Sequence, residues 1–291
     1  MDLLPQLIVS GVITGTVYAV IAIGFALVYN ATTAINFAQG EFVMLGGMAA
    51  YAFHSVAGLP VAPAVVLAVA VVTVLGAAFA RLTIYPLGQA QPMTLIMITI
   101  GGSIVFKGAA LLLLGKDSVR VPAFSGESAV QLGPATIPQQ GLWVIAIAAA
   151  VIVSLEIFFR RTLTGKAMRA AASNRYAAAL MGIDVRRVVL LSFALSAALG
   201  AIAGAIIAPI TLAAFDRGTM LGLKGFSAAV VGGLGSGLGG LVGGLILGVL
   251  ESLVAGLVSS GYKDAIAFCL LIAMLLVRPR GLLGPPDVTK V

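Results

Sequence analysis

The amino-acid sequence predicts an all-α polytopic membrane protein with about 8 to 9 transmembrane helices, and three observations predict it. Of the 291 residues, 60% are hydrophobic and 9% charged, with a mean hydropathy of +1.14. A soluble domain carries about 25% charged residues, so these side chains cannot clothe a water-facing surface and their solvent is lipid. Apolar stretches of roughly 20 residues, enough to cross the hydrocarbon core, recur along the chain, and their many Gly and Ala residues suit close helix–helix packing. The surplus charge of +7 is concentrated: Arg160, Arg161, Lys166, Arg169, Arg175, Arg186 and Arg187 fall in one short connection. That is the pattern of a cytoplasmic loop under the positive-inside rule, and it accounts for the charge without nucleic acid.

In chain order, the expected spans are 7–29, 37–53, 61–80, 94–114, 142–159, 188–210, an interrupted stretch at 221–234, 237–257 and 265–277. The first has no basic flank and outruns the apolar core of a secretory signal, so it is read as a mature span. If the loop 160–187 and the tail bearing Arg278 and Arg280 share the cytoplasmic side, an even number of crossings separates them. Three clear spans lie between, so 221–234 must cross or partly cross. Counting backwards places 115–141 outside, 81–91 inside, 54–60 outside, and the N-terminus outside. Nine passes with a cytoplasmic C-terminus result; merging the broken stretch into its neighbour would give eight and reverse the N-terminus. The outer loop 115–141, with Lys116, Asp117, Arg120, Glu127 and three prolines, is an ordered or semi-ordered external connection, so residues 1–291 read as a single transmembrane domain.

Two polar or flexible stretches interrupt the spans. Residues 35–41 read INFAQGE, where Asn36 and Gln39 offer donors and acceptors, Gly40 admits a close backbone, and Glu41 would be costly in lipid unless paired or solvated. One reading makes Asn36 the cap of a helix starting near residue 37, with Glu41 favoured by its N-terminal dipole. The other makes the stretch one of two breaks beside a transport pathway, its counterpart being Gly232, Gly233, Gly235 and Ser236 of GGLGSG. Capping does not exclude the pathway. The glycines spaced by four through 235–248 also predict a bare helical flank for a close neighbour. Glu156 and Arg160 can pair on one helix face, Lys107 can snorkel, His54 stands alone at the outer interface, and Glu251 has no role that the sequence explains.

The loop 160–187 encodes a short helix. Asn174 can cap it, 175–181 are good helix formers, and Gly182 sits where a left-handed residue ends a helix, followed by apolar Ile183. Ala177, Leu180 and Met181 share one stripe. The stripe fits a helix lying on headgroups and equally a helix docked in a partner's groove.

No enzyme signature accompanies these features. Gly165-Lys166 lacks the upstream glycine of a phosphate loop, there is no HExxH, and no nucleophile, base and orienter combine. The lone Cys269 supplies neither an intrachain disulfide nor metal spacing. No catalytic residue, metal or cofactor is expected; if ATP is used, another subunit binds it.

Several stretches carry a family resemblance: YAVIAIGFALVY at 18–29, Ile35 to Glu41 with Leu45-Gly46-Gly47, GKAMRAAASN at 165–174 with Ala178-Ala179-Leu180-Met181-Gly182-Ile183, GFSAAVVGGLGSGLGGLVGG at 225–244, and RPRGLLG at 278–284. In these the chain resembles the permease subunits of branched-chain amino acid ABC importers, on the LivH-like side of the pair. The resemblance runs nearly end to end and says little about substrate. It implies the ABC importer permease fold in a bacterial inner membrane. The implied partners are a LivM-like permease forming a heterodimer, two cytoplasmic ATPases and a periplasmic binding protein. Under it, Asn174, Ala177, Ala178, Leu180, Met181, Gly182 and Ile183 belong to the coupling helix that enters an ATPase groove, which favours docking over the interfacial reading. Close relatives carry urea and short amides, so that substrate class stays open. A self-sufficient carrier or channel would need its own ion relay, and Glu41, Glu156 and Glu251 form no evident chain.

Overall fold

Helix α1, Leu3–Thr32, is 30 residues without a charged side chain, and it forms one axis of the molecule. The computed structural model describes residues 3–88, 91–126, 128–132 and 135–284; Glu127, Pro285 and Pro286 lie outside the described residues. After α1 come α2 (Gln39–Tyr51, widening into a π turn over Ala52–Val56), α3 (Val61–Phe79, with a similar turn over Ala80–Ile84) and α4 (Pro92–Leu114). A hairpin follows, β1 (Ala129–Leu132) antiparallel to β2 (Ala135–Pro138), with Val130 opposite Ile137. Then come α5 (Gln139–Arg161), α6 (Leu163–Ser173), α7 (Arg175–Leu180), α8 (Val185–Thr211), α9 (Arg217–Gly232), α10 (Gly237–Leu257) and α11 (Lys263–Val277).

Among the described residues, seven helices are long and apolar enough to cross a membrane, counting α11 from Ser260. The expected spans 37–53 and 221–234 become shorter helices, α2 with 13 residues and α9 with 16. Helix α2 begins among buried residues, whereas α9 opens with Asp216, Arg217 and Thr219 exposed and only Gly218 buried. The most apolar stretch of α1 is 89% buried and that of α8 67%, against 11% for α5. The outer helices turn Val66, Val74, Ile104, Leu112, Ile157 and Leu276 outward, the apolar exterior that a lipid solvent selects.

The two short helices arise by the same device run in opposite directions. Helix α1 ends at Thr32, Thr33 takes φ 55°, and the chain re-enters the bundle as a non-helical segment before α2 starts. Helix α8 ends at Thr211, Leu212 takes φ 64°, and the chain re-enters before α9 starts. These are the two non-glycine residues with positive φ among the described residues. The repeat is visible in the residues themselves: Phe37-Ala38-Gln39-Gly40-Glu41 opens α2 and Phe215-Asp216-Arg217-Gly218-Thr219 opens α9. Re-entrant segment plus short helix together run from one end of the bundle to the other, so among the described residues 33–56 and 212–232 add two end-to-end runs to the seven long helices.

Glycines set the closest approaches. On α10, Gly244 and Gly248 press on Ala19 and Gly15 of α1, while Gly239 and Gly243 press on Gly232 and Ala228 of α9. The spacing by four thus serves two neighbours rather than one. The end of the bundle holding the last turn of α1, the α3–α4 turn, α6, α7 and residues 278–284 carries Arg81 and the arginines of 160–187. This is the basic end of the molecule. At the opposite end the hairpin is tied to α1, where Gln6 Nε2 donates to Thr136 O at 2.9 Å and Gln6 Oε1 accepts from Thr136 N at 2.8 Å.

Glu251, unexplained by sequence, is buried and paired. Lys224 Nζ of α9 lies 2.8 Å from Glu251 Oε1 and 2.6 Å from Asp264 Oδ1 of α11, and Lys263 Nζ lies 3.3 Å from Glu251 Oε1. Removing one partner strands a buried charge, which costs about 3–5 kcal/mol, whereas an apolar replacement of the pair is often neutral. Lys224→Met alone is therefore expected to depress the thermal midpoint of the purified chain strongly. Lys224→Met with Glu251→Leu, which leaves Lys263 beside Asp264, is expected to recover most of the loss.

Candidate functional site

The re-entrant segment 33–38 needs partners for its backbone, because no water reaches membrane depth. It finds them on α4: Phe37 N donates to Thr99 Oγ1 at 3.2 Å. Asn36 supplies another, its Oδ1 accepting from Ala38 N at 3.1 Å. Asn36 does close the turn into α2, but the helix begins at Gln39, two residues later than the sequence suggested. Asn36 is fully buried and its Nδ2 has no partner.

Gln39 and Glu41, on the first turn of α2, reach opposite neighbours. Gln39 Nε2 donates to Ser196 O at 3.1 Å, and Ser196 Oγ, which meets Gln39 Oε1, lies 3.0 Å from Gly24 O. One amide thus locks α2 to α1 and α8. Glu41 Oε1 accepts from Ser103 Oγ of α4 at 3.0 Å and from Thr219 Oγ1 of α9 at 3.1 Å; its Oε2 has no partner. Lys107, one turn beyond Ser103, acts electrostatically on this carboxylate, and its Nζ lies 6.0 Å from the Phe215 ring centroid.

The openings of α2 and α9 cross at glycine. A Cβ on Gly40 would overlap Gly218 O and stand 2.9 Å from Gly222 Cα, and a Cβ on Gly218 would stand 2.9 Å from both Gly40 O and Met44 Cβ. Contacts of Gly40 with Gly222 and of Met44 with Gly218 are reciprocal under the repeat, as a two-fold relation requires. Two helix N-termini, each with the positive end of its dipole, therefore meet at this crossing, and the Glu41 carboxyl group lies against both.

The second stretch singled out by sequence lies elsewhere. Gly232 ends α9, Gly233 (φ 112°) and Gly235 (φ 89°) make the turn, and Ser236 caps α10, its Oγ accepting from Gly239 N at 3.0 Å. Asn30 Nδ2 donates to Gly235 O at 2.8 Å, while Leu282 N and Leu283 N donate to Val231 O and Gly232 O. GGLGSG is thus a turn at the basic end, clasped by residues 278–284. The structure does not bring it to Asn36, Gln39, Gly40 and Glu41; the inverted counterpart of INFAQGE is residues 212–219. Reading Phe-x-x-Gly at both 37–40 and 215–218 would have found it.

At the basic end, α7 is built as its sequence suggests. Asn174 Oδ1 accepts from Ala177 N at 2.9 Å, Gly182 takes φ 81°, and Ile183 N donates to Ala178 O at 3.0 Å. Ala178 faces inward, while Ala177, Leu180 and Met181 are exposed, joined by Tyr176. Asn174→Ala is expected to cost about 1 kcal/mol of local stability, seen as roughly fivefold faster amide exchange over 175–180 with the long helices unchanged.

Comparison with known proteins sets this geometry in context. The family profile described as "Branched-chain amino acid transport system / permease component" matches residues 7–275. The chain belongs to this permease family. It is similar to the high-affinity branched-chain amino acid transport system permease LivH of Escherichia coli K12, at 35% identity over 98% of this chain and 97% of that protein. It is likewise similar to the permease BraD of Pseudomonas aeruginosa, at 33% identity over 98% and 97%. A probable permease of Methanocaldococcus jannaschii is 27% identical over 97% and 94%. Among solved structures, PsaBC from Streptococcus pneumoniae in complex with Fab shares the fold, with TM-score 0.51, 16% identity, and coverage of 93% of this chain and 91% of that one. The all-α polytopic permease is thereby established.

Proposed function

We propose that this permease is the LivH-like membrane subunit of an ATP-driven importer for branched-chain amino acids. It pairs with a LivM-like permease in a bacterial inner membrane, receives substrate from a periplasmic binding protein and is driven by two cytoplasmic ATPases. The observation that carries the ATP-driven reading is α7: a capped helix on the basic end whose exposed face is Tyr176, Ala177, Leu180 and Met181, on a chain with no phosphate loop of its own. An apolar face held out at the arginine-rich end fits a groove on a cytoplasmic partner. The basic end is then cytoplasmic and the N-terminus external, in agreement with the positive-inside rule.

In the mechanism, ATP closes the ATPase dimer, α7 moves with its groove, and the motion passes to α8 through the short turn 181–184. Helix α8 holds Gln39 through Ser196, so its displacement acts on the openings of α2 and α9, where Asn36, Gln39, Gly40 and Glu41 sit. That crossing is the hinge and inner gate of the pathway, and the GGLGSG turn is its cytoplasmic anchor. Aliphatic and small residues line the helices around it, which suits a branched apolar side chain. Nothing covalent is catalysed by this chain.

An auxotroph lacking its own high-affinity importer tests the assignment. Growth on limiting leucine should return when the chain is expressed with its second permease, ATPases and binding protein. Growth restored by the chain alone would make it a self-sufficient carrier, and rescue of urea or amide use instead would move it to the sister substrate class.

A further inference from the structure

A cavity of about 720 Å³ opens at the basic end, between the last turn of α1, the α3–α4 turn, α7 and the start of α8. Its floor is aliphatic, with Ala80, Ile84, Leu95 and Val189, and its rim carries Arg175 and Arg186. Arg175 is half-buried, and burial lowers its guanidinium pKa; among the described residues no carboxylate pairs with it. The one acid on the wall, Asp184, is already used: Oδ1 accepts from Arg186 N at 3.0 Å and Arg187 N at 3.2 Å, and Oδ2 lies 2.9 Å from Arg187 Nε. Arg186 is positioned by stacking, its Cζ 5.8 Å from the Tyr85 ring centroid, with Arg81 at 4.0 Å from the same ring. The cavity is therefore a net cation over a greasy floor, and its occupant is an anion on an apolar tail.

Its depth names the class. The adjoining surface passes from exposed Leu82, Leu87 and Met93 to the arginines of the basic end, which is where headgroup phosphates lie. Basic pockets between helices on the cytoplasmic side take anionic lipid headgroups. We propose that this cavity binds an anionic phospholipid, its phosphate held by Arg175 and Arg186 and the start of an acyl chain on the aliphatic floor. Because Arg175 opens α7 and Arg186 lies in the first turn of α8, the lipid ties the docking helix to the α3–α4 turn. The site does not depend on which substrate is carried.

Native mass spectrometry of the assembled importer, taken from nanodiscs of mixed phosphatidylglycerol and phosphatidylcholine, tests this. Wild type should retain phosphatidylglycerol, and Arg175→Gln with Arg186→Gln should lower that retention by roughly tenfold or more, since each basic contact is worth about fivefold. Phosphatidylcholine carry-over should not change, and Arg175→Lys with Arg186→Lys, which keeps the charge, should retain most of the lipid. Equal retention of the two lipids by wild type, or undiminished phosphatidylglycerol in the Gln variant, overturns the proposal. So does binding of inorganic phosphate in pure phosphatidylcholine discs without phosphatidylglycerol preference, which would make it a soluble-anion site. Disulfide formation under added oxidant between Arg175→Cys and a cysteine introduced beside an acidic ATPase segment in the assembled complex would assign the cavity to that partner and overturn the proposal.

Discussion

Replacing Leu180 and Met181 together by glutamate is expected to detach the ATPases while leaving the chain inserted and folded. Leu180 is 72% exposed, Met181 83% and Tyr176 76%, on a helix only six residues long, so these side chains are paired with nothing inside the subunit. Under the proposed coupling role, these side chains are buried in the ATPase groove. Truncating a residue at the centre of such an interface costs about 2 kcal/mol or more, some thirtyfold in affinity, and burying an unpaired carboxylate adds to that. Co-purification of ATPases with the tagged permease should fall below detection, and ATP-driven transport with it. The thermal midpoint of the isolated chain should hold, because both positions are exposed. If the ATPases still co-purify at normal yield and transport continues, α7 is not the coupling element.

Gly40→Ala is expected to be among the most damaging small substitutions in the chain. The added methyl would meet backbone on both sides, Gly218 O and Gly222 Cα, and neither can rotate away as a side chain would. The two half-helices must part, which also draws Thr219 from Glu41. Overpacking costs about 1–3 kcal/mol where side chains can adjust, and a backbone contact belongs at or above the top of that range. Gly101→Ala, in α4 with nothing within 4 Å of the new methyl, should change stability by less than about 0.5 kcal/mol. Thermal unfolding of the two variants in detergent, beside uptake, separates a clash at the crossing from a general intolerance of alanine for glycine. Gly218→Ala should repeat the Gly40 result from the other side.

Much of this architecture was legible in the residues. The long helices follow from apolar length, and the basic end from arginine placement. The cap, stripe and left-handed stop of α7 follow from Asn174, Leu180 and Gly182, because each acts within a few residues of itself. What escaped was longer-range or shorter-lived. The polar residues Asn36, Gln39 and Glu41 marked a break at 35–41, but nothing in them showed that the segment re-enters the bundle and delays α2 to Gln39. The glycine doublet of GGLGSG drew attention as a break, yet glycine also makes tight turns, and that turn lies at an end of the bundle. The internal break at 212–219 is marked instead by Phe215, Asp216 and Arg217, residues that a search for flexibility passes over. The pairing of Lys224 with Glu251 joins positions a full helix apart, and nothing local to either announces the other.

As proposed, this chain moves branched-chain amino acids only as part of an ATP-driven assembly. Uptake of labelled leucine into proteoliposomes holding the full complex, with ATP on the ATPase side and loaded binding protein on the other, measures that most directly. Leucine accumulation should require ATP and the binding protein, be competed by isoleucine and valine but not by urea or acetamide, and disappear in the Leu180→Glu, Met181→Glu variant. Accumulation that persists without ATPases, or that is blocked by urea and untouched by isoleucine, would contradict it.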